Sequence, residues 1–378
     1  MTSAGRRKVC FVLPSLQGGG AERAAVNILN ALDPVGWDRS MYLFQREGPY
    51  LDELDTRIAL SAGKHRSRVG RWLDLRRFLR VSRPDLVVSF LSYFSVLTAA
   101  RAAGIGARVV FNQQTPMTAF LHDADYHWRR PWHRRAFEIV TRLGYRFADL
   151  VVTTSTGVAD DLIAGFGASP DHIRVVHNPV DLGAVARASA EPLEPEHHRL
   201  WSPPVVVAAG RLAHAKNYAL LIDAMAVLRE RVPATLFILG QGELEADLRS
   251  QIARHGLGDA VVLCGFQPNP WRYIARADVF AMTSRYEGFG NVLVEAMACG
   301  VPVVATSSPG TREIVNAGVD GLLVDRHEPG PVAAAIERIL TDEAFRRRLA
   351  EGALSSAQRF ALPAIAAAYD RVLGAALA

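Results

Sequence analysis

Short apolar runs alternate with amphipathic stretches of helical length from one end of the chain to the other. The predicted strands of the first half are 8–13, 40–44, 85–89, 108–111, 150–153 and 174–177, and those of the second half are 205–209, 235–239, 261–264, 279–281, 303–305 and 322–324. This alternation predicts parallel sheets covered by helices on both faces, because parallel strands need a crossover connection. A chain of 378 residues is too long for one ordinary domain, so we predict two doubly wound α/β domains.

A polar, proline-rich stretch separates the two sets of strands and predicts the domain boundary. It holds a Glu-Pro-Leu-Glu-Pro-Glu segment and a Ser-Pro-Pro segment, which favour neither a helix nor a strand. We therefore predict a first domain at 1–183, a linker at 184–204 and a second domain at 205–360. The alanine-rich end, 361–378, is predicted to be a helix that packs on its own domain or crosses back to the first.

The net charge of +5 is unevenly distributed, with the basic excess in the first half. Basic residues cluster at 64–83 and, beside Trp128 and Trp132, at 128–135. Basic side chains near tryptophan suit an anionic membrane surface, and a solvated helix face explains either cluster equally well. Nucleic acid is not expected as a partner, because no nucleic-acid motif accompanies the charge.

The compartment is predicted from apolar segments and cysteines. No stretch reaches the roughly eighteen apolar residues of a membrane span, and the short run at 9–16 is typical of a first strand instead of a signal peptide. Cys10, Cys264 and Cys299 lie far apart without metal or redox spacing, which favours buried thiols in a reducing compartment. We expect a soluble cytoplasmic protein, with the basic clusters as a route to peripheral contact with the inner face of the cell membrane.

The most specific motif runs from 284 to 306, where a predicted strand is followed by an acidic, glycine-rich loop and a helix. Glu287 precedes a Gly-Phe-Gly turn, the helix begins near Asn291, and Glu295 falls in its first turns. Glycines let a ligand approach the backbone, and free N–H groups at a helix start attract phosphate. Carboxylates would oppose phosphate there, so we interpret Glu287 and Glu295 as acceptors of hydrogen bonds from sugar hydroxyls.

Two further loops follow predicted strands. The segment 210–217 places Arg211 and Lys216 between a strand and a helix, where two cations suit a diphosphate, although a charged surface loop is the plainer alternative. The segment 17–22, Gln-Gly-Gly-Gly-Ala-Glu, lacks the Gly-x-Gly-x-x-Gly spacing of dinucleotide sites, which argues against a nicotinamide enzyme. Ligands of open α/β sheets bind beyond the carboxyl ends of the strands, so the cleft between the two domains is the predicted site.

On these residues the chain resembles the retaining glycosyltransferases of family 4, which have the GT-B fold of two facing Rossmann-like domains. The resemblance covers nearly the whole chain and depends most on the Glu-x7-Glu element of Glu287 and Glu295, with support from turns at 18–19 and 240–242 and from Asn-Pro-Val-Asp at 178–181. It implies transfer of a sugar from a nucleoside-diphosphate sugar to a hydroxyl of a lipid-linked or polysaccharide acceptor in cell-envelope glycan synthesis. Family frequency favours a UDP-sugar and leaves GDP-mannose open, and the resemblance implies no metal or other cofactor.

The resemblance also implies residue roles. Glu287 is expected to contact the donor sugar, Glu295 to hold the ribose, and Arg211 and Lys216 to neutralise the diphosphate, which makes Glu287, Arg211 and Lys216 the catalytic candidates. The implied donor-binding set is Gly19, Arg211, Lys216, Gly265, Phe266, Glu287, Gly288, Phe289, Gly290, Asn291, Val292 and Glu295. Family members often carry a histidine after the fourth or fifth strand, which is absent at 111–116. The alternatives for the acceptor side are Asn112, Gln113 and His122, together with Gly18.

Three alternatives remain beside the main interpretation. The loop 122–127 contains His122 and an Asp-x-Asp pair that resemble a metal cluster, but no second motif supports a metal, and a mobile loop that meets the acceptor is favoured. A sugar-nucleotide epimerase of the same fold would need a general base, for which we find no clear sign. An inactive sugar-nucleotide-binding protein at the membrane is disfavoured, because the acidic pair and the two cations are intact.

Overall fold

The computed structural model describes residues 6–122, 131–202 and 204–378. The chain divides into two compact units, of which the first contains 6–121, 131–179 and 362–378 and the second contains His122, 180–202 and 204–361. The last helix therefore belongs to the first unit, although it follows the second in the chain. None of the helices in the described ranges is both long and apolar enough to span a bilayer.

The first unit is built on a parallel sheet of seven strands in the order β3-β2-β1-β4-β5-β6-β7. These strands are β1 (Arg7–Leu13), β2 (Trp37–Leu43), β3 (Ala59–Ala62), β4 (Leu86–Phe90), β5 (Arg108–Gln113), β6 (Leu150–Thr153) and β7 (Ile173–Val175). Its helices are α1 (Gly20–Ala31), α2 (Arg68–Ser82), α3 (Tyr93–Ala103), α4 (Met117–His122), α5 (Pro131–Phe147), α6 (Thr156–Phe166) and, at the end of the chain, α16 (Leu362–Ala375). The strand order reverses between β1 and β4.

The second unit contains a parallel sheet of six strands in the order β10-β9-β8-β11-β12-β13. They are β8 (Val205–Ala209), β9 (Thr235–Leu239), β10 (Val261–Leu263), β11 (Val279–Met282), β12 (Val303–Thr306) and β13 (Gly321–Val324). The helices are α7 (Leu182–Ser189), α8 (Pro195–Leu200), α9 (Tyr218–Arg229), α10 (Glu245–Arg254), α11 (Trp271–Ile274), α12 (Asn291–Ala298), α13 (Pro309–Ile314), α14 (Pro329–Thr341) and α15 (Glu343–Ala357). Here the order reverses between β8 and β11.

Each sheet is buried on both faces, which explains the nearly continuous apolar runs of the strands. In β1, Val9 and Phe11 belong to one core cluster while Cys10 and Val12 belong to the cluster on the opposite face. The second sheet likewise separates two clusters. The prediction of an α/β protein with two doubly wound parallel sheets is confirmed.

One strand of the first sheet, β3, has no counterpart among the predicted strands. It is four residues long, Ala-Leu-Ser-Ala, and it pairs with β2 at the edge of the sheet. An edge strand is covered on fewer sides than a central one, so its sequence need not be a run of β-branched residues.

The predicted linker contains two helices, and the expectation that neither helix nor strand forms there is wrong. The carboxylate of Asp181 accepts a hydrogen bond from the backbone N–H of Ala184 at 2.9 Å and caps α7. Pro195 is the first residue of α8, a position where a helix needs no N–H donor. The acidic and proline residues of this stretch therefore mark helix starts.

The last helix, α16, packs on the first unit. Tyr369 is fully buried there, and its hydroxyl accepts a hydrogen bond from Asn112 Nδ2 at 2.8 Å. The indole N–H of Trp37 donates to Asp370. These contacts join the end of the chain to β2 and β5, which are distant in sequence.

Candidate active site

The reversal of strand order in the second unit brings two of the predicted motifs together. The loop after β8 carries Arg211 and Lys216, and the loop after β11 carries Glu287. These strands are neighbours in a parallel sheet, so both loops leave the same edge. Ligands of open α/β sheets bind at such a point, which makes this edge the candidate site.

An ion pair joins the two loops. Lys216 Nζ donates a hydrogen bond to Glu287 Oε1, and the hydroxyl of Ser284 donates to the same oxygen at 2.8 Å. The side chains of Lys216 and Glu287 are 27% and 12% exposed, so the pair is partly withdrawn from water. Burial raises the pKa of the Tyr218 hydroxyl, and the negative charge of Glu287 raises it further. The charges at this edge therefore act in a medium less polar than bulk water.

Arg211 lies at the start of the β8 loop with its side chain exposed. Over the described ranges of the chain, its guanidinium makes no hydrogen bond and no ion pair. A guanidinium presents five N–H donors in a planar fork that matches phosphate oxygens. Arg211 and Lys216 thus place two cations on one loop, of which only Lys216 is paired with a carboxylate.

Glycines pack the loops after β8, β9 and β10 against one another. A Cβ atom on Gly240 would lie 2.0 Å from the carbonyl oxygen of Gly210, so no larger residue fits there. The backbone N–H of Gly240 donates to the carbonyl of Gly265 at 2.7 Å. The glycines in these loops therefore allow the backbones to approach each other closely at the carboxyl edge of the sheet.

The Gly-Phe-Gly turn leads into α12. Gly290 precedes the helix with a φ of +105°, which glycine tolerates best, and Asn291 is the first helical residue. The ring of Phe289 is 2% exposed and packs against Phe360 at 5.2 Å between centroids. Phe289 therefore anchors the turn in the core, and only its backbone is near the helix start. Val292 is half-buried in the first turn.

Glu295 lies within α12 and is 8% exposed. Its Oε2 accepts a hydrogen bond from the indole N–H of Trp271 at 2.8 Å. Burial raises the pKa of the Cys299 thiol to about 12, with the nearby charge of Glu295 as the second cause. Trp271, in α11, did not emerge from the sequence motifs, because nothing in its spacing connects it to the acidic pair.

The loop after β10 presents an aromatic side chain. Phe266 is 45% exposed and follows Gly265, whose φ is +66°. Gln267 Nε2 donates to the carbonyl of Cys264 at 2.9 Å, and Asn269 Nδ2 donates to the carbonyl of Ala188 at 2.8 Å. The loop is held at both ends while Phe266 remains accessible, an arrangement suited to stacking on a planar base.

The start of α13, which follows β12, supports the acidic loop and was not singled out from the sequence. A Cβ atom on Gly310 would lie 2.8 Å from the carbonyl oxygen of Gly288 and 2.9 Å from that of Glu287. The hydroxyl of Thr306 donates to the carbonyl of Ser284 at 2.7 Å. The available signal was Ser308 followed by Pro309, a helix-start pattern just after a buried strand.

In the first unit the strand order reverses between β1 and β4. Gly18, after β1, has a φ of +104°, and its carbonyl accepts a hydrogen bond from the Tyr50 hydroxyl at 3.1 Å. Gly19 caps α1, and a Cβ atom there would lie 2.3 Å from Glu22 Oε2. Burial raises the pKa of the Glu22 carboxyl. The carboxylate of Glu22 therefore covers the glycine turn.

The loop after β4 is a feature that the sequence motifs did not reveal. Leu91 has a φ of +67°, a region that residues other than glycine rarely adopt. Leu91 and Phe94 are 47% and 42% exposed. Backbone strain of this kind is concentrated at functional sites, so this loop is a candidate for ligand contact in the first unit.

Two of the acceptor-side candidates face the interior of the first unit instead. Asn112 is fully buried and Gln113 is 3% exposed. The Asn112 amide donates to Tyr369, and the Gln113 carbonyl oxygen accepts from the Tyr145 hydroxyl at 2.6 Å. Both amides hold β5 to neighbouring elements, so neither is presented to an acceptor.

The remaining acceptor candidate, His122, is exposed at the end of α4. The rest of the predicted metal-like loop, 123–127, lies outside the described residues, as do Trp128 and the two arginines that follow it. Within the described residues there is no group of three or more histidine, cysteine, aspartate or glutamate side chains that would hold a metal ion.

Comparisons with known proteins agree with this architecture. The family described as Glycosyltransferase Family 4 matches residues 18–184, and the family described as Glycosyl transferases group 1 matches residues 193–355. The Campylobacter jejuni enzyme N-acetylgalactosamine-N,N'-diacetylbacillosaminyl-diphospho-undecaprenol 4-alpha-N-acetylgalactosaminyltransferase is 31% identical over 94% of this chain and 96% of its own. The lipopolysaccharide core biosynthesis glycosyltransferase LpsE of Rhizobium meliloti is 30% identical over the same shares.

A solved structure agrees in fold. Anabaena Alr3699/HepE, crystallised with UDP and glucose, has a TM-score of 0.81 at 23% identity and covers 98% of this chain and 100% of its own. The two parallel sheets and these matches define a glycosyltransferase of the GT-B fold. The chain belongs to glycosyltransferase family 4.

Proposed function

We propose that this protein is a retaining glycosyltransferase that moves a sugar from a UDP-sugar to a hydroxyl of a lipid-linked or polysaccharide acceptor in cell-envelope glycan synthesis. The observation that carries the proposal is the ion pair of Lys216 with Glu287 at the reversal point of the second sheet. Arg211, unpaired in the described structure, lies on the same loop as Lys216. Lys216, a cation suited to a diphosphate, thus lies beside a carboxylate suited to sugar hydroxyls.

The named relatives support the class of substrate. The Campylobacter enzyme is named for a diphospho-undecaprenol-linked acceptor, and the Rhizobium enzyme for lipopolysaccharide core biosynthesis. The Anabaena protein was crystallised with UDP and glucose. We carry these features to this chain as a UDP-sugar donor, with a hexose or N-acetylhexosamine as the sugar, and a lipid-linked or polysaccharide acceptor.

In the proposed reaction the diphosphate leaves with growing negative charge. The positive charge that stabilises the transition state more than the ground state comes from Arg211, Lys216 and the N–H groups at the start of α12. Lys216 turns from Glu287 towards the phosphate when the donor binds. Glu287 then accepts a hydrogen bond from a sugar hydroxyl, and Glu295 accepts from the ribose.

Retention of configuration follows if the acceptor attacks from the side on which the diphosphate departs. The acceptor oxygen bonds to the anomeric carbon as the bond to the phosphate oxygen breaks, and the departing phosphate oxygen takes the proton. No covalent intermediate with a carboxylate is required. Because side chains and the helix start neutralise the diphosphate, we propose that no resident metal is needed.

The first unit is proposed to bind the acceptor. Its candidates are Gly18, in the glycine turn after β1, and the strained loop that begins at Leu91. The exposed ring of Phe94 suits the apolar face of a sugar or a lipid chain. Asn112 and Gln113 are not part of this proposal, because internal hydrogen bonds hold both.

The experiment that tests the function is an assay of UDP release and product formation with a panel of UDP-sugars and GDP-mannose. Lipid-linked and polysaccharide acceptors are compared, with EDTA present throughout. We expect UDP release that depends on the acceptor, persists in EDTA and gives an α-linked product from an α-linked donor by NMR. Conversion of the donor to an isomer would support an epimerase, and binding without turnover would support an inactive binding protein. An inverted product would exclude the retaining mechanism.

Arg211→Ala is expected to weaken UDP binding by about tenfold or more, because a charge-assisted hydrogen bond contributes roughly 1.5–3 kcal/mol. The affinity for uridine, which has no phosphate, is expected to stay within about twofold of wild type. Calorimetric titration of both ligands measures the difference. Equal effects on uridine and UDP would show that Arg211 does not bind the diphosphate.

Peripheral membrane contact is proposed for helices α2 and α5 of the first unit. In α5, four large apolar side chains are exposed at helical spacing, namely Trp132 (58%), Ile139 (58%), Leu143 (43%) and Phe147 (59%). In α2, Arg77 and Arg80 are exposed. An apolar stripe and exposed basic residues suit the surface of an anionic bilayer on the inner face of the cell membrane.

Removal of two of these charges, Arg77→Ala with Arg80→Ala, is expected to lower binding to vesicles containing phosphatidylglycerol by about tenfold or more, at roughly 1 kcal/mol per charge. Co-sedimentation at low and high salt measures the loss. The control is Arg249→Ala with Arg347→Ala, which removes the same charge from surface pairs of the second unit. If the two double variants bind alike, α2 is not the contact surface.

A further inference from the structure

The carboxylate of Glu287 is held asymmetrically. Lys216 Nζ and Ser284 Oγ both donate to Oε1. In the part of the chain that the structure describes, Oε2 accepts no hydrogen bond. One oxygen of the carboxylate therefore has two protein donors, while the other retains its acceptor capacity.

Ser284 is the more rigid of the two donors. It is 1% exposed, and its carbonyl accepts a hydrogen bond from the Thr306 hydroxyl at 2.7 Å. The next residue, Arg285, donates its backbone N–H to the carbonyl of Ala215 at 2.8 Å. The backbone of Ser284 is thus fixed from β12 on one side and from the β8 loop on the other, whereas Lys216 reaches Glu287 through a long, partly exposed side chain.

We propose that Ser284 is a positioning residue that holds Oε1 of Glu287, so that Oε2 is presented to a hydroxyl of the donor sugar. This inference depends on the proposed function. When Lys216 turns to the diphosphate, Ser284 is the donor that keeps the carboxylate in place. A carboxylate oxygen that is already in position does not have to reorient during the reaction. A fixed hydrogen bond to the carboxylate therefore contributes to the rate.

The test is Ser284→Ala, assayed with the active UDP-sugar and titrated with UDP alone. We expect kcat/KM for the UDP-sugar to fall by about tenfold, in line with loss of one hydrogen bond to a charged group, while the Kd for UDP stays within about twofold. UDP carries no donor sugar, so a merely structural defect would weaken both ligands.

The matched control is Ser356→Ala. The Ser356 hydroxyl donates to Asp320 Oδ2 at 2.6 Å, which is the same kind of bond in the same unit but outside the candidate site. We expect a lower melting temperature for this variant and unchanged kcat/KM. The control separates loss of a serine–carboxylate bond in general from loss of this one.

An unchanged kcat/KM in Ser284→Ala, or a fall matched by an equal loss of UDP affinity, overturns the proposal. Failure of the proposed function is a separate result, seen as a wild-type protein that transfers no sugar. In that case the role of Ser284 is tested by binding alone. The Kd values for UDP-glucose and for UDP are measured in wild type and in Ser284→Ala, and their ratio reports the contribution of the sugar to binding. A ratio equal in wild type and variant would overturn the positioning role.

Discussion

Glu287→Gln is expected to lower kcat/KM for sugar transfer by about a hundredfold or more while leaving UDP affinity undiminished. Glutamine keeps the size of the side chain but removes the negative charge that accepts hydrogen bonds from Lys216, Ser284 and, in the proposed complex, a sugar hydroxyl. Removing one pre-placed polar group from an active site commonly costs a factor of about 10²–10³ in rate. Lys216 is released from its ion pair in the variant, so the diphosphate does not compete with Glu287 for it.

The control for this substitution is Glu343→Gln. Glu343 forms an ion pair with Arg347 on the surface of α15, at 3.4 Å and with both side chains largely exposed. Exposed pairs contribute little to stability, so this variant is expected to match wild type in both assays. A Glu287→Gln enzyme that keeps more than about a tenth of wild-type kcat/KM would contradict the assigned role. So would a parallel loss of UDP affinity.

Gly310→Ala is expected to lower kcat/KM by about a hundredfold through displacement of the acidic loop. The added Cβ would lie 2.8 Å from the Gly288 carbonyl oxygen and 2.9 Å from that of Glu287, and backbone atoms at that distance must move. The φ of Gly310 is not in the left-handed region, so alanine suits the local backbone and the effect comes from the contact. A shift of about 1 Å in a catalytic group can cost about 10²-fold.

The matched control is Gly330→Ala, near the start of α14. No atom lies within 4 Å of a Cβ placed on Gly330, and its φ is also outside the left-handed region. Alanine at such a position is expected to stabilise the protein by up to about 1 kcal/mol, because it restricts the unfolded chain. Thermal melts and donor kinetics of both variants measure the contrast. If Gly310→Ala retains wild-type kinetics, the start of α13 does not position Glu287.

The candidate site was predictable wherever its parts share a motif. Glu287 and Glu295 lie in one segment, and Arg211 and Lys216 lie in another, so each pair was visible as a pattern of residue types and spacing. Their supports were not visible. Trp271 reaches Glu295 and Gly310 contacts the acidic loop from separate segments of the chain, and no local pattern marks either contact.

The first unit shows where prediction from sequence fails for a physical reason. Asn112 and Gln113 are the last two residues of β5, at the carboxyl edge of the sheet where ligand-binding side chains usually lie, yet both amides turn inward. Their partners include Tyr369 and Tyr145, which lie far away in the chain. An amide at the end of a strand can face a ligand or the core, and its direction depends on which hydrogen-bonding partner folding brings near.

The sequence by itself determined the α/β class and the two parallel sheets, because strand and helix periodicity and turn residues are local properties of the chain. It also determined which side chains carry charge at the strand ends. Only the tertiary structure decided that Lys216 pairs with Glu287, that Ser284 and Trp271 hold the carboxylates, and that the last helix packs on the first unit. Except for the short-range bond between Ser284 and Glu287, these contacts join residues that are far apart along the chain, and they form only when folding brings distant segments together.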